Sequence, residues 1–202
     1  MEQGKLIVFE GISGTGKETQ AKRLARFLTE QGKKTRIVYH PSPDLKQILT
    51  SWRKDRTIDS ITEVYLLLAD RSDRVRQEIE PALSRGEWVV SLRSYISALV
   101  YQGKTPAERR WIAGEFRRFE PESDILFYFD ISPNVARERI LSRNKKTGEP
   151  VGRYESLEEL TRRRRNYNEV LRTVPHVTIH AERTVDRIFR DITTYIASHY
   201  KL

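Results

Sequence analysis

Cysteine is absent from the 202 residues, which excludes disulfides, thiolate metal sites and thiol nucleophiles together. No apolar run reaches the roughly 20 residues that a bilayer-spanning helix needs. The opening segment MEQGKLIVFE lacks the pattern of a secretory signal, so a cytoplasmic protein without a membrane partner is the expectation. Internal repeats, low-complexity tracts and Gly/Ser- or Pro-rich linkers are missing too. The chain therefore reads as a single domain over residues 1–202, long enough to bury a core without covalent staples. Apolar residues are few at 38% against 32% charged, yet within the globular range. Acidic residues are outnumbered, 28 against 37 Lys and Arg, which leaves a net charge of +9. That excess asks for an anionic partner, either a nucleic acid or phosphorylated small molecules.

Short β-branched runs alternate with longer stretches of helical spacing. The strand-like runs are Leu6–Glu10, Thr35–His40, Trp88–Leu92, Ile125–Asp130 and Val177–His180. Between them, helical spacing marks Lys17–Glu30, Ser60–Ser84, Ser97–Phe119, Pro133–Ser142, Ser156–Arg172 and Thr184–His199. Such alternation predicts an α/β fold, a mostly parallel five-stranded sheet with helices on both faces. Asn144–Gly152 carries Gly, Pro and charge without periodicity, and reads as a mobile surface loop between two helices.

Directly after the first strand stands Gly11-Ile12-Ser13-Gly14-Thr15-Gly16-Lys17-Glu18-Thr19, followed by a helical pattern. This satisfies G-x-x-x-x-G-K in the strand–loop–helix setting that gives the motif its meaning. Glycines let backbone N–H groups turn inward around phosphate oxygens, and the helix start adds its positive dipole end. Residues 11–19 are thus the expected ATP phosphate loop of a three-layer P-loop fold, with Lys17 on the β- and γ-phosphates. One position breaks the pattern: Glu18 occupies the place of the Ser or Thr whose hydroxyl binds Mg²⁺. Thr19 cannot stand in for it, because one residue turns a helical side chain by about 100°.

Further segments narrow the reading. Phe9-Glu10-Gly11 precedes the loop and Thr19-Gln20 follows it; Ala69-Asp70-Arg71 lies in a helix; Arg93-Ser94-Tyr95-Ile96-Ser97 leads to Tyr101-Gln102-Gly103; Asp130 and Pro133 follow the fourth strand; Arg153-Tyr154-Glu155 closes the loop. In order and spacing, over essentially the whole chain, this resembles the thymidylate kinase family of P-loop nucleoside monophosphate kinases. Its pattern is F-E-G…G-K-T-T-Q, then A-x-R, then D-R-x-x-x-S-x-x-A-Y-Q-G. The resemblance implies transfer of the ATP γ-phosphate to a deoxynucleoside monophosphate, dTMP in first place, with Mg²⁺, in deoxynucleotide biosynthesis; it also implies a homodimer. Arg93 would grip the acceptor's phosphate and Arg71 its phosphate or base edge. Tyr101 would lie against the sugar, and Gln102 would line the base pocket, with Ser97, Pro41 and Leu67 around them.

Residues 137–172 hold 11 Lys and Arg against 6 acidic residues, more than half of the net charge. Segment 143–155 reads as a lid that closes over ATP, with Arg143 and Arg153 as its catalytic cations and Arg139 and Arg164 as further ATP contacts. In the helix that follows, Arg162 and Arg163 lie four residues after Glu158 and Glu159 and are expected to pair on the surface. Arg164 falls on the apolar stripe of Leu157, Leu160, Tyr167 and Leu171, and must point into a cleft or find a partner.

Five positions depart from the family pattern: Glu18; Leu92 in place of an Asp; Ser13 in place of an acidic residue; Leu67 in place of a Phe; and His40-Pro41-Ser42-Pro43 in place of R-E-P-G-G. A carboxylate lost at 92 and gained at 18 suggests Glu18 as the Mg²⁺ ligand. Alternatives are a nucleoside kinase, a catalytically weak kinase-like protein and a nucleic-acid-binding P-loop protein. The first needs a carboxylate base that Leu92 does not supply. The last would spread its charge along a face instead of beside a lid, so no nucleic-acid partner is expected.

Overall fold

The structure is a computed structural model that describes residues 3–148 and 151–201. Glu149 and Pro150 of the expected lid, and the ends of the expected 1–202 domain, lie outside the described residues. Five strands, β1 (Leu6–Glu10), β2 (Thr35–Tyr39), β3 (Trp88–Leu92), β4 (Ile125–Asp130) and β5 (Val177–His180), form one sheet in the order β2-β3-β1-β4-β5. Every pairing is parallel, with Phe9 level with Leu92 on one side and Phe127 on the other. β1 and β3 are buried along their whole length, as mostly apolar strands covered on both faces are, with Glu10 and Ser91 the two polar side chains enclosed among them. Phe9 packs against Phe127 and Phe129 at ring distances of 5.7 and 4.8 Å, near the centre of the core.

The helices are α1 (Lys17–Glu30), α2 (Pro43–Asp55), α3 (Ser60–Arg74), α4 (Glu80–Ser84), α5 (Tyr95–Tyr101), α6 (Pro106–Phe116), α7 (Pro133–Thr147), α8 (Leu157–Val170) and α9 (Val185–His199). Four stretches revise the expectations. α2 has no counterpart among the expected helices, although Ser42 caps it by accepting from Leu45 N, Pro43 opens it, and Leu45 and Leu49 bury one face. Ser60–Ser84 continues through a π-helical turn at Val75–Ile79, one turn ahead of Pro81, whose missing N–H interrupts the regular ladder. The stretch Ser97–Phe119 is two helices: Gly103 leaves α5 where a Cβ would meet Leu99 O at 2.7 Å, and Thr105 with Glu108 forms the capping box of α6. α7 runs on to Thr147 and ends at Gly148 in the left-handed region, so Asn144–Thr147 is helix and not loop.

Because all strands run the same way, the segments after their C-terminal ends share one edge of the sheet, where open α/β folds bind ligands. The phosphate loop and Arg93 follow β1 and β3 there, and Asp130 ends β4 at the same edge. Among the described residues no helix is long and apolar enough to cross a membrane.

Candidate active site

The loop after β1 has the shape its glycines allow. Gly14 holds φ at +83°, and a Cβ on it would lie 2.6 Å from Ala136 O of α7. Both the backbone conformation and the close approach of α7 therefore require glycine. Lys17 curls into the loop, its Nζ donating to Gly11 O at 2.8 Å, Ile12 O at 2.7 Å and Thr15 Oγ1 at 2.9 Å. Burial, and then the neighbouring Arg93 cation, push the Lys17 ammonium well below its usual pKa. Gly16 and Thr19 are exposed, Ser13 is half-buried, and Thr15 is buried.

Arg93 ends β3 with φ at +77°, unusual for a residue with a side chain. Its carbonyl accepts from Ser91 Oγ at 2.7 Å, and the next residue is anchored by Ser94 N and Oγ donating to Glu10 Oε1 at 2.8 and 2.9 Å. The guanidinium is held by hydroxyls alone: Nη1 donates to Ser97 Oγ at 2.9 Å and Tyr167 OH at 3.0 Å, and Nη2 to Tyr101 OH at 3.4 Å. Ser97 Oγ and Tyr167 OH each donate to Glu10 Oε2 at 2.8 Å. One layer of hydroxyls thus separates the Arg93 cation from a wholly buried carboxylate. Lys17 and Arg93 are close enough to repel each other electrostatically, and Glu10 offsets both, so that an anion completes the balance.

Glu10 and Tyr167 were missing from the candidates read off the sequence. A carboxylate at the end of a doubly buried strand is the signal that marks Glu10. Tyr167 is hidden by its place on an apolar stripe, and burial, then Glu10, raises its phenol pKa well above normal.

The expected acceptor residues divide. Ser97 and Tyr101 join Arg93, whose guanidinium lies 5.1 Å from the Tyr101 ring centre. Gln102 is buried and donates from Nε2 to Glu63 Oε2 at 3.0 Å, leaving its own Oε1 without a partner among the described residues. Leu67 is buried on α3, and Pro41 is half-buried between β2 and α2. Arg71 has its guanidinium fully partnered within the protein. It exposes no surface; its Nε and Nη2 donate to the two Glu120 oxygens at 2.8 and 2.7 Å, and its Nη1 to Ser91 Oγ at 3.1 Å. A guanidinium without exposed surface needs such a fork of acceptors, and Arg71 ties α3 to Glu120 and to Ser91 of β3.

The lid-region arginines each have an acidic or carbonyl partner. Arg143 Nη2 donates to Glu155 Oε1 at 3.1 Å, and Glu155 Oε2 also accepts from Gly152 N at 2.7 Å. Arg153 Nη1 lies 3.7 Å from Glu63 Oε1. Arg139 donates to Ala181 O at 2.7 Å and Glu182 O at 3.3 Å, fixing the segment after β5. Arg164 makes a two-pronged pair with Asp130 at 2.8 and 2.9 Å, the partner its position demanded.

The surface expectation for Arg163 is corrected. It pairs with Glu159 at 3.1 Å as expected, but it is only 5% exposed and donates to Val100 O at 3.2 Å. Its guanidinium lies 4.8 Å from the ring centres of both Tyr101 and Tyr154. The reason is helical phase: Leu160, Arg163 and Tyr167 form the buried stripe of α8, whereas Leu157 is 46% exposed and off it. Arg162 pairs with Glu159 on the surface.

Among the described residues no three His, Asp or Glu side chains gather as a ready metal site. Glu18, in the first turn of α1, is exposed and pairs with Lys22 at 2.8 Å. It supplies the hard oxygen donor that Mg²⁺ takes, and a surface pair of this kind is cheap to break. Leu92 is buried and offers nothing. The residues present therefore fit an Mg²⁺ held largely by phosphate oxygens and water, with one carboxylate at hand.

A family model described as thymidylate kinase matches residues 9–192. The chain is 33% identical over 210 residues to a thymidylate kinase of Maridesulfovibrio salexigens, covering 96% of each. It is 31% identical over 201 residues to a probable thymidylate kinase of Thermococcus gammatolerans, covering 94% of each. To a probable thymidylate kinase of Staphylothermus marinus it is 30% identical over 196 residues, covering 97% of this chain and 96% of the relative.

Proposed function

The chain belongs to the thymidylate kinase family, and from that premise we propose that it phosphorylates dTMP to dTDP with ATP, in deoxynucleotide biosynthesis in the cytoplasm. The observation that carries the reading is that Lys17, buried in the phosphate loop, and the half-buried Arg93 after β3 are two cations near the one Glu10 carboxylate, set for two phosphorylated substrates. Backbone N–H groups of residues 11–17 and Lys17 hold the ATP phosphates. Arg93 leaves its hydroxyl partners to take the acceptor's phosphate. An oxygen of that phosphate forms the new bond to the γ-phosphorus, and the bond to the ADP oxygen breaks. The acceptor oxygen is already anionic, so no base is required. Catalysis is then positioning and charge neutralisation, to which Arg143 and Arg153 contribute when they exchange their carboxylate partners for phosphate. Mg²⁺, when bound with ATP, neutralises phosphate charge, and Glu18 is the residue that would hold it.

A nucleoside acceptor is less well supported, because the two Glu10 oxygens already accept from Ser94, Ser97 and Tyr167 and Leu92 carries no carboxylate. Binding to a polynucleotide is disfavoured by the neutralising partners of Arg143, Arg163 and Arg164. For the homodimer, the exposed Ile61 and Tyr65 of α3, with Trp111 of α6 edge-on to Tyr65 at 5.9 Å, offer a suitable apolar face.

The test is ATP/Mg²⁺ turnover against a panel of deoxy- and ribonucleoside monophosphates. Preferential turnover of dTMP, lost in Lys17→Ala and Arg93→Ala, supports the reading. No turnover of any monophosphate overturns it. A monomer in sedimentation at working concentration removes the dimer.

A further inference from the structure

Glu63, in the first turn of α3, carries a carboxylate whose side chain is only 4% exposed. A buried charge is tolerated only when it is paired and hydrogen-bonded, and the partners of Glu63 come from three separate segments. Arg53 of α2 donates from Nε and Nη2 to Oε1 at 3.1 and 3.0 Å. Gln102, at the end of α5, donates to Oε2 at 3.0 Å. The other two come from the lid: Tyr154 OH donates to Oε2 at 3.4 Å, and Arg153 Nη1 lies 3.7 Å from Oε1.

The Tyr154 ring is seated by the same group. It stands edge-on to Tyr101 at 5.3 Å, and the guanidinium groups of Arg53, Arg153 and Arg163 face it at 5.5, 5.3 and 4.8 Å. Three cations around one ring favour its negative face, and Glu63 supplies the balancing charge. On its other flank Tyr101 touches Arg93. A continuous line of contacts therefore runs from Glu63 through Tyr154 and Tyr101 to the arginine assigned to the acceptor's phosphate.

We infer that Glu63 is a positioning residue that receives the lid: its carboxylate holds Tyr154 against Tyr101, so that the acceptor wall of the cleft is complete only while Tyr154 is docked, whether or not Arg153 has left for phosphate. The inference rests on the assignment of Arg93 and Tyr101 to the acceptor. Glu63 touches neither substrate. It acts through Tyr154 and Tyr101, and its effect belongs to the acceptor and not to ATP.

Glu63→Gln keeps the shape and removes the charge, and Tyr154→Ala removes the docked ring from a half-exposed place outside the hydrophobic core. Both variants are expected to raise the KM for dTMP by roughly tenfold, with the KM for ATP within about twofold; Tyr154→Ala leaves the bond from Gln102 to Glu63 in place, so its rise is read as the lid's own. The double variant should be no worse than the more severe single one, because the two act as a unit. In the ligand-free protein, backbone hydrogen exchange of peptides containing residues 151–155 should quicken in both. Equal rises in both KM values, or unchanged exchange in residues 151–155, would overturn the inference. If Glu63→Gln fails to fold, Tyr154→Ala decides the matter by the same two readouts. The exchange measurement needs no substrate, so it tests the dock even if the wild type turns over no monophosphate, a result that would count against the kinase reading alone.

Discussion

Lys17 finds its three partners two, five and six residues away, at Thr15, Ile12 and Gly11. Glu63 draws its hydrogen-bond partners from 10, 39 and 91 residues away, at Arg53, Gln102 and Tyr154. The donor side of the cleft is thus built by consecutive residues of one loop, whereas the acceptor side is assembled from α2, α3, α5, α8 and the lid. A local site keeps its shape as long as its loop is held, here by Gly14 against α7. An assembled site depends on how helices dock, and loses its geometry when any one contributor moves.

The sharpest way to break this contrast is at Arg71. Arg71→Ala removes the cation from a wholly buried two-pronged pair and strands the Glu120 charge. The expected loss is about 3–5 kcal/mol of unfolding free energy, read by urea denaturation. A variant of normal stability and weakened affinity for the acceptor would instead place Arg71 among the ligand-binding residues.

Next in size is Lys17→Ala, which should lower kcat by roughly 10²–10³, as removal of a preorganised charge does. The melting temperature should hardly move, since the three hydrogen bonds of the Lys17 ammonium all lie within one loop. A large fall in stability with modest loss of rate would show that the loop is not self-sufficient.

Glu18→Gln addresses the metal. If Glu18 holds Mg²⁺, the Mg²⁺ concentration for half-maximal rate at saturating ATP rises by roughly tenfold. An unchanged midpoint removes Glu18 from the metal's surroundings and leaves phosphate and water as its only ligands.

The smallest effect belongs to Asp130. The hydrogen bond from Arg164 holds its carboxyl below the usual aspartate pKa, against a smaller opposing effect of burial. A depressed folded pKa contributes stability that is present above the unfolded aspartate value and is lost as pH falls through the folded one. With Arg164 at 36% exposure, solvent screening limits the contribution to about 1 kcal/mol or less. Asp130→Asn should therefore cost that amount at neutral pH and nothing once pH has fallen below the depressed folded pKa, seen as converging stability curves. Parallel curves would mean that the pair contributes nothing through charge.

Much of the fold was legible because it is repetitive and local. The strands at 6–10, 88–92, 125–130 and 177–180 stand where the β-branched runs placed them, and α1 begins and ends where its spacing did. α2 escaped because only two buried apolar residues mark it, and the break before α6 escaped because Gly103 and Thr105 lie inside an otherwise continuous helical pattern. In the site, Lys17 and its loop are contained in nine consecutive residues. The run Arg162–Arg165 was not resolvable in the same way: four identical side chains in a row meet a glutamate on the surface, two tyrosine rings in the interior, Asp130, and solvent. Composition cannot separate them, since a single step of about 100° around the helix axis decides which one is buried.

By itself the sequence determined an α/β sheet with a phosphate loop, the family, and a basic excess gathered around residues 137–172. Those rest on periodicity, on spacing and on residues adjacent in the chain. Only the tertiary structure sets Glu10 and Tyr167 against Arg93 through shared hydroxyls, Arg71 on Glu120, Arg163 as the buried member of its run, and Glu63 against Tyr154. Each of these is a buried charge, and what a buried charge does is set by partners that only folding brings within reach.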